Sequence, residues 1–110
     1  ADTCHLYSAG YDLRHEWDAV WEEWDRIIGL DLLRSVHVND SKTRFDSHRD
    51  RHELVGEGSL GPEPFRRLMR DSRFEHTTRL LETPKGDDLV ANDRKMLRRL
   101  RAYRRKRVTR

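Results

Sequence analysis

Cysteine is nearly absent from the chain: Cys4 is the single thiol, so no disulfide can form within it. One lone thiol suits a reducing compartment, and we expect a cytoplasmic protein. The chain also lacks an apolar run near the ~18 residues that a membrane-spanning helix needs, so we expect no membrane partner. We also expect no signal peptide. Its opening, Ala-Asp-Thr-Cys-His without a methionine, leads us to expect a cut inside a longer protein.

Apolar residues are scarce as well. Hydrophobic residues make up 35% of the 110 positions and charged residues 39%, which leaves a thin core for one small domain. The three tryptophans nevertheless argue against a disordered chain, because large aromatic side chains need a surface to pack on.

Acidic residues are missing from residues 94–110, which carry ten Lys or Arg side chains. The rest of the chain holds the remaining 13 basic and all 20 acidic side chains, which gives it a net charge of −7. We therefore divide the sequence into a body, residues 1–93, and a basic helical tail, residues 94–110. Such a tail favours a polyanion partner, although a solvated helix end with cations near its carboxyl terminus explains it equally well.

Helical and strand patterns alternate along the body. The order is typical of a parallel α/β fold, in which functional groups lie where strands end and loops begin. We predict a loop over 1–14, a helix over 15–29 with a tryptophan face, a strand over 32–38, a helix over 62–71, a strand over 79–83 and a last helix from about 88.

Residues 39–60 form a long polar stretch with almost no apolar periodicity. Loops of that length are usually functional or disordered. This one contains Asp50 and His52, two positions apart, which an extended segment would present together.

Six polar side chains fall in predicted loops or at predicted strand ends on one side of the sheet. Nitrogen and oxygen ligands without a thiolate favour zinc, with manganese or iron as alternatives. Six ligands exceed the needs of one tetrahedral ion, so we predict two metals, an arrangement suited to in-line phosphoryl displacement. The candidate ligands are Asp2, His5, His37, Asp50, His52 and Glu82.

Four separated blocks resemble, in order, blocks of the endonuclease IV family of apurinic/apyrimidinic (AP) endonucleases: DTCHLYSAGYDLR, HVNDSK, DRHELVGEGSLGPEPFRRLM and LLETPK. The resemblance runs from residue 1 to about residue 100. It implies a TIM-barrel hydrolase with three zinc ions, monomeric when intact. It also implies double-stranded DNA with abasic sites as the substrate, cleaved on the 5′ side of the site to leave a 3′-hydroxyl.

Matched residue by residue, the resemblance implies two zinc sites in this chain. His5, Asp50 and His52 correspond to the full ligand set of one zinc. Asp2, His37 and Glu82 correspond to three of the four ligands of a second, and Asp2 and Glu82 would serve catalysis through the metal. Contacts with DNA are expected from Arg51, Lys42 and Arg44.

A complete TIM barrel takes eight strands and ~250 residues. The sequence supplies two full strands and the stump of a third, so we expect a C-terminal fragment of about two to three βα units, inactive alone. Two alternatives stay open. One is a sugar isomerase or epimerase of the xylose-isomerase-like barrels, and the other is a non-catalytic nucleic-acid-binding piece acting through the tail.

Overall fold

Short helices and strands alternate along the chain in a computed structural model, which describes residues 1–84 and 88–105. In chain order the elements are α1 Thr3–Ser8, α2 Trp17–Ile27, a 3-10 turn Leu30–Leu32, β1 Ser35–Val38, β2 Asp40–Ser41, β3 His52–Glu53, α3 Pro62–Arg70, a 3-10 turn Ser72–Phe74, β4 Thr78–Leu81 and α4 Leu89–Arg104.

Three strand positions lie side by side and run in the same direction. β1 pairs with β4 in parallel, with Ser35 opposite Thr78. On the other edge of β1, Asp2 forms a single parallel bridge with His37, and the His37 N–H donates to the Ala1 carbonyl at 2.7 Å. The predicted α/β class and the count of two to three βα units are confirmed. Within residues 1–84 and 88–105 the strands form an open segment of a barrel, not a closed one.

One face of this sheet is covered by the helices. Val36 and Val38 of β1 are fully buried there, against a core that contains the aromatic side chains of α2. The ring of Trp21 stands edge-on to Phe74 with 4.8 Å between centroids. The predicted tryptophan face of α2 therefore packs inward as far as Trp24, but Ile27 is 63% exposed.

The opposite face of the sheet is open. His37 is opposite Leu80 in the β1–β4 register, so the two side chains project from the same face. Leu80 is 45% exposed, which is unusual for leucine in a strand between packed helices. In a closed barrel this face lines the interior, where side chains from the other strands fill the space.

The predicted loop over residues 1–14 is wrong in part, because residues Thr3–Ser8 form α1. The Asp2 carboxylate caps this helix by accepting a hydrogen bond from the His5 N–H. Its buried residues include the polar Thr3 and Ser8. A six-residue helix that buries polar side chains shows no apolar periodicity, so the pattern gave no helical signal.

The other predicted elements hold with shifted bounds. The first strand begins at Ser35 because the preceding leucines form a 3-10 turn, and the second strand ends at Leu81, just before Glu82. Residues 39–60 are mainly irregular, with β2 and β3 pairing antiparallel. Pro84, Lys85 and Gly86 predict a break in the chain after the second strand, and residues 85 and 86 lie outside the described residues. No helix in the described part of the chain is both long and apolar enough to cross a membrane.

Helix α4 continues without a break through positions 93 and 94, where the sequence placed the start of the basic tail. Met96 and Leu100 are buried in the core, and α4 packs on α3. Arg70 of α3 donates from Nε to the Tyr103 carbonyl at 2.7 Å. The described part of the tail, residues 94–105, is therefore integrated into the packed domain.

Candidate metal centre

The six candidate ligands meet at one end of the parallel strands. Asp2 forms the parallel bridge beside β1, His37 lies within β1, and Glu82 directly follows β4. Because parallel strands end at the same edge of a sheet, these three side chains are brought together by the backbone alone. The first turn of α1 adds His5, and the segment entering β3 adds Asp50 and His52.

One group is formed by Asp2, His37 and Glu82, whose potential ligand atoms all lie within 4.8 Å of one another. His37 Nδ1 contacts a carboxylate oxygen of Glu82 and lies 4.0 Å from Oδ2 of Asp2. Two carboxylates and one imidazole converging in this way are a typical oxygen and nitrogen donor set for a divalent cation.

A second group surrounds Asp50. One oxygen of this carboxylate, Oδ2, lies 3.3 Å from His5 Nδ1, and the other, Oδ1, lies 3.3 Å from His52 Nε2. His52 Nε2 also lies 3.3 Å from Asp2 Oδ2, so the two groups are adjacent. The structure thus brings all six predicted side chains into one cluster.

The tautomer of His52 is determined by its second ring nitrogen. Nδ1 lies 2.9 Å from the backbone oxygen of Glu82, and because a carbonyl only accepts, Nδ1 must carry a hydrogen. In the neutral ring Nε2 then presents a lone pair to two carboxylate oxygens, which repel it unless a proton or cation lies between them. The ligands of a tetrahedral zinc ion, with bonds of about 2.0–2.1 Å, lie roughly 3.3 Å apart, so the spacing of His52 and Asp50 fits ligands of one cation, with Asp2 as the nearest member of the adjacent group.

Electrostatics keep Asp50 ionised. Its partial burial acts against the charged form, but the polar contacts with Cys4 and His5 and the charges of His52 and His5 outweigh it and lower the pKa of Asp50. A carboxylate that stays charged near neutral pH is available as a ligand without first losing a proton.

Cys4 was not among the predicted ligands, but its Sγ lies within 4.8 Å of ligand atoms of Asp50 and His52. The residue is fully buried, and the thiol donates to the Arg51 carbonyl at 3.4 Å. Burial, with the neighbouring Asp50 carboxylate, raises the pKa of Cys4 to about 12. The sulfur of Cys4 therefore lies close enough to Asp50 and His52 to be a further donor beside the predicted nitrogen and oxygen ligands.

Asp40, which sequence reasoning also missed, organises the loop that follows the ligand segment. Its buried carboxylate accepts from the backbone N–H groups of Gly56, Gly58 and Leu60 at 2.9–3.0 Å and from Ser41 at 2.8 Å. Burial raises the pKa of Asp40 even though these four donors favour the charged form. The backbone N–H groups of a glycine-rich loop require hydrogen-bond acceptors. This requirement is the feature of the sequence that could have indicated a carboxylate such as Asp40 nearby.

The predicted DNA contacts are exposed side chains of the same loop. Arg51 follows Asp50 and donates from Nη1 to its carbonyl at 3.0 Å. The Lys42 N–H donates to the Arg51 carbonyl at 2.9 Å, and Arg44 lies two residues further on. Arg51 therefore lies next to the cluster, Lys42 is held beside it through the backbone, and Arg44 lines a separate cavity with Thr43 and Arg49.

The described part of the basic tail contacts two separate regions of the domain. Arg104 lines a cavity with Arg70 and with Arg79, which stands near the beginning of β4, whereas the cluster lies beyond the end of that strand. Earlier in the tail, Arg99 donates to the Glu57 carboxylate at 2.7 Å, in the loop that follows β3. The carboxyl end of the described tail is thus the part that lies away from the candidate metal centre.

Comparisons with known proteins agree with the fold. A family model described as a xylose isomerase-like TIM barrel matches residues 1–100. A probable endonuclease 4 from Geobacter sulfurreducens is 54% identical over 89 residues, covering 79% of this chain and 30% of that protein. One from Alkaliphilus oremlandii is 48% identical over 103 residues, covering 94% of this chain and 36% of that protein.

Among solved structures, endonuclease IV from Thermus thermophilus superposes with a TM-score of 0.83 at 37% identity. The match covers 93% of this chain and 36% of that one. The chain therefore spans about a third of the length of the relatives it matches.

Proposed function

Because the chain belongs to the xylose isomerase-like TIM barrel family, we propose that it supplies part of the metal site of a DNA repair endonuclease acting 5′ to abasic sites. The predicted resemblance to endonuclease IV agrees with the names of its relatives. One observation carries the proposal: His52 Nε2 lies 3.3 Å from both Asp2 and Asp50, where neighbouring parallel strands end.

Zinc is the cation that the donor set supports best. Three imidazoles are more than magnesium or calcium sites use, since those ions prefer oxygen ligands, whereas zinc binds histidine and carboxylate together. We assign His5, Asp50 and His52 to one ion and Asp2, His37 and Glu82 to another. The third zinc ion that the resemblance implies would need ligands from outside this chain.

Zinc, when bound, supplies a Lewis acid that polarises phosphoryl oxygens and promotes the ionisation of water at neutral pH. The protein side chains hold their lone pairs in a fixed arrangement: Asp2 through its cap on α1 and His52 through the Glu82 carbonyl. Arg51, Lys42 and Arg44 would attract the DNA backbone, because phosphate contacts are made mostly by such cations.

The sugar isomerase alternative shares the barrel and the strand-end ligands, and the family description includes it. The names of the relatives favour the nuclease, because both sequence relatives and the solved structure are endonucleases.

A chimera tests the activity. This chain would replace the segment it matches in the Thermus thermophilus endonuclease IV, and the product would be incubated with a duplex carrying one abasic analogue. We expect a single cut on the 5′ side that leaves a 3′-hydroxyl, loss of cutting after zinc is removed by a chelator, and recovery when zinc is returned. The 110-residue chain alone should not cut, because it provides three strand positions of an eight-strand barrel.

His52→Ala in the chimera should reduce cutting by at least the roughly 10–100-fold that follows loss of an outer metal partner. His15→Ala is the matched control, because His15 pairs with Asp12 on the surface and lies outside the cluster. A folded chimera that isomerises ketoses but leaves abasic DNA intact would overturn the nuclease assignment in favour of the sugar isomerase.

A further inference from the structure

We propose that Asn39 is a positioning residue that orients ligands of both candidate metal groups, an inference that rests on the proposed function. Asn39 follows β1 directly and is fully buried. Its neighbours across the strand ends are Asp2 on one side and Glu82 on the other, so its side chain lies between two candidate ligands.

The carboxamide of Asn39 uses a donor and an acceptor at once. Nδ2 donates to Oδ2 of Asp2 at 3.2 Å, and Oδ1 accepts from the Glu82 N–H at 3.1 Å. An ionised aspartate of the same size could accept but not donate, and a leucine could do neither. The two contacts therefore require an amide side chain at this position.

The backbone of Asn39 is held by Thr3. Thr3 Oγ1 donates to the Asn39 carbonyl at 2.7 Å and accepts from the Asn39 N–H at 2.9 Å. Because both backbone groups of Asn39 are hydrogen-bonded, its Cα atom is held in place. The side-chain amide is therefore restricted to one position between the strands on either side.

The influence of Asn39 extends to the second group through one peptide unit. Glu82 donates its N–H to Asn39 and accepts at its carbonyl from Nδ1 of His52. The Nε2 of His52 then faces Asp2, which Asn39 holds from the other side. These contacts close a ring, so displacing the amide would move Asp2, Glu82 and His52 together.

Zinc titration of the metal-free 110-residue chain tests the inference. The wild-type chain is compared with Asn39→Leu, which removes both side-chain hydrogen bonds at similar volume. The matched control is Trp17→Phe, which removes a hydrogen bond from a buried indole to Asp71 away from the cluster. We expect Asn39→Leu to bind zinc about 10–100-fold more weakly, as is usual when an outer partner of a ligand is lost. Trp17→Phe should bind as the wild type does.

A spectroscopic measurement separates positioning from general destabilisation. The visible absorption of bound cobalt(II) reports ligand geometry in the folded fraction, so it should change in Asn39→Leu and stay unchanged in Trp17→Phe. If circular dichroism shows that Asn39→Leu is unfolded, Asn39→Ser replaces it, because a serine side chain stays polar and uncharged but is too short to bridge Asp2 and Glu82. The same weakening of zinc binding is expected.

The outcomes distinguish the two proposals. If the wild-type chain binds zinc and the folded Asn39 variants bind it equally well with an unchanged cobalt spectrum, the role of Asn39 is overturned and the metal site stands. If the wild-type chain binds no zinc, the metal site and the role of Asn39 are both overturned.

Discussion

The Nδ1 atom of His52 lies 2.9 Å from the backbone oxygen of Glu82, a residue 30 positions further along the chain. This contact joins the end of the long loop to the end of β4. It also directs Nε2 toward Asp2 and Asp50, because the ring has only two nitrogens and one of them is committed to the carbonyl. One hydrogen bond thus turns two distant segments into a single cluster.

We first predict that His52→Ala lowers the zinc affinity of the 110-residue chain. The variant loses a ligand of one group and the histidine that links it to Asp2, so the loss should be at least the roughly 10–100-fold typical of an outer partner. Zinc retained after dialysis, measured by mass spectrometry, checks this. His15→Ala should retain as much zinc as the wild type. If His52→Ala also retained as much zinc, the assignment of His52 as a zinc ligand would be wrong.

The second prediction concerns Gly58, where a Cβ atom would stand 2.3 Å from the Ser41 carbonyl oxygen and 2.6 Å from Oδ1 of Asp40. Gly58→Ala must push the loop away from Asp40, and overpacking of this kind costs about 1–3 kcal/mol of unfolding free energy. Urea unfolding measures that loss.

Gly61→Ala separates crowding from backbone strain. Its Cβ would meet nothing within 4 Å, but its φ of +72° disfavours any side chain. NMR spectra should therefore show a displaced Gly56 amide signal in Gly58→Ala only. An unshifted signal in Gly58→Ala would contradict the proposed role of Asp40.

The third prediction is a pH dependence of stability that originates at Asp71. Partial burial disfavours its charge, but hydrogen bonds from Arg73 and Trp17 outweigh burial and hold the pKa of Asp71 below the ordinary value of 3.8. A carboxyl whose pKa is lower in the folded than in the unfolded protein stabilises the fold at every pH above its unfolded-state pKa. This stabilisation is lost as the pH falls through its folded-state pKa. Stability should therefore decline below about pH 4.

Asp71→Asn tests the origin of that decline. At neutral pH the variant should lose about 1–3 kcal/mol, the usual contribution of hydrogen bonds to a charged group, and its stability should vary less in acid. Asp18→Asn is the control, because Asp18 pairs with the same Arg73 but is 70% exposed, so its loss should be small. Thermal melts between about pH 3 and pH 7 compare the three proteins. An equally steep acid decline in Asp71→Asn would contradict the assignment.

The fourth prediction separates the basic tail from the metal centre. Arg98 and Arg101 are exposed on α4, and replacing both with glutamine should weaken binding to undamaged duplex DNA and flatten its salt dependence by roughly two phosphate contacts. Zinc content should not change, because neither arginine is one of the six candidate ligands. Fluorescence anisotropy at several salt concentrations gives the slope of DNA affinity against salt. An unaltered slope would indicate that the tail is a solvated helix end that does not bind DNA.

Much of the fold could be read from the sequence because its signals are local. The spacing of Trp17 and Trp21 predicted α2 and its buried face, and Pro62 predicted the start of α3. The short helix α1 could not be predicted this way. It is stabilised by the Asp2 cap and by burial of Thr3 against Asn39, a contact between residues 36 positions apart.

What the sequence determined by itself is the choice of elements and the polar residues at their ends, because helix and strand periods depend on neighbours a few positions away. Only the tertiary structure decided that those residues converge, that the His52 ring is oriented by the Glu82 carbonyl, and that Asn39 lies between Asp2 and Glu82. These relationships depend on strand pairing between segments far apart in the chain, which local patterns do not encode. For the same reason, only the tertiary structure shows that Cys4 lies beside the candidate ligands and that Asp40 accepts hydrogen bonds from the glycine-rich loop.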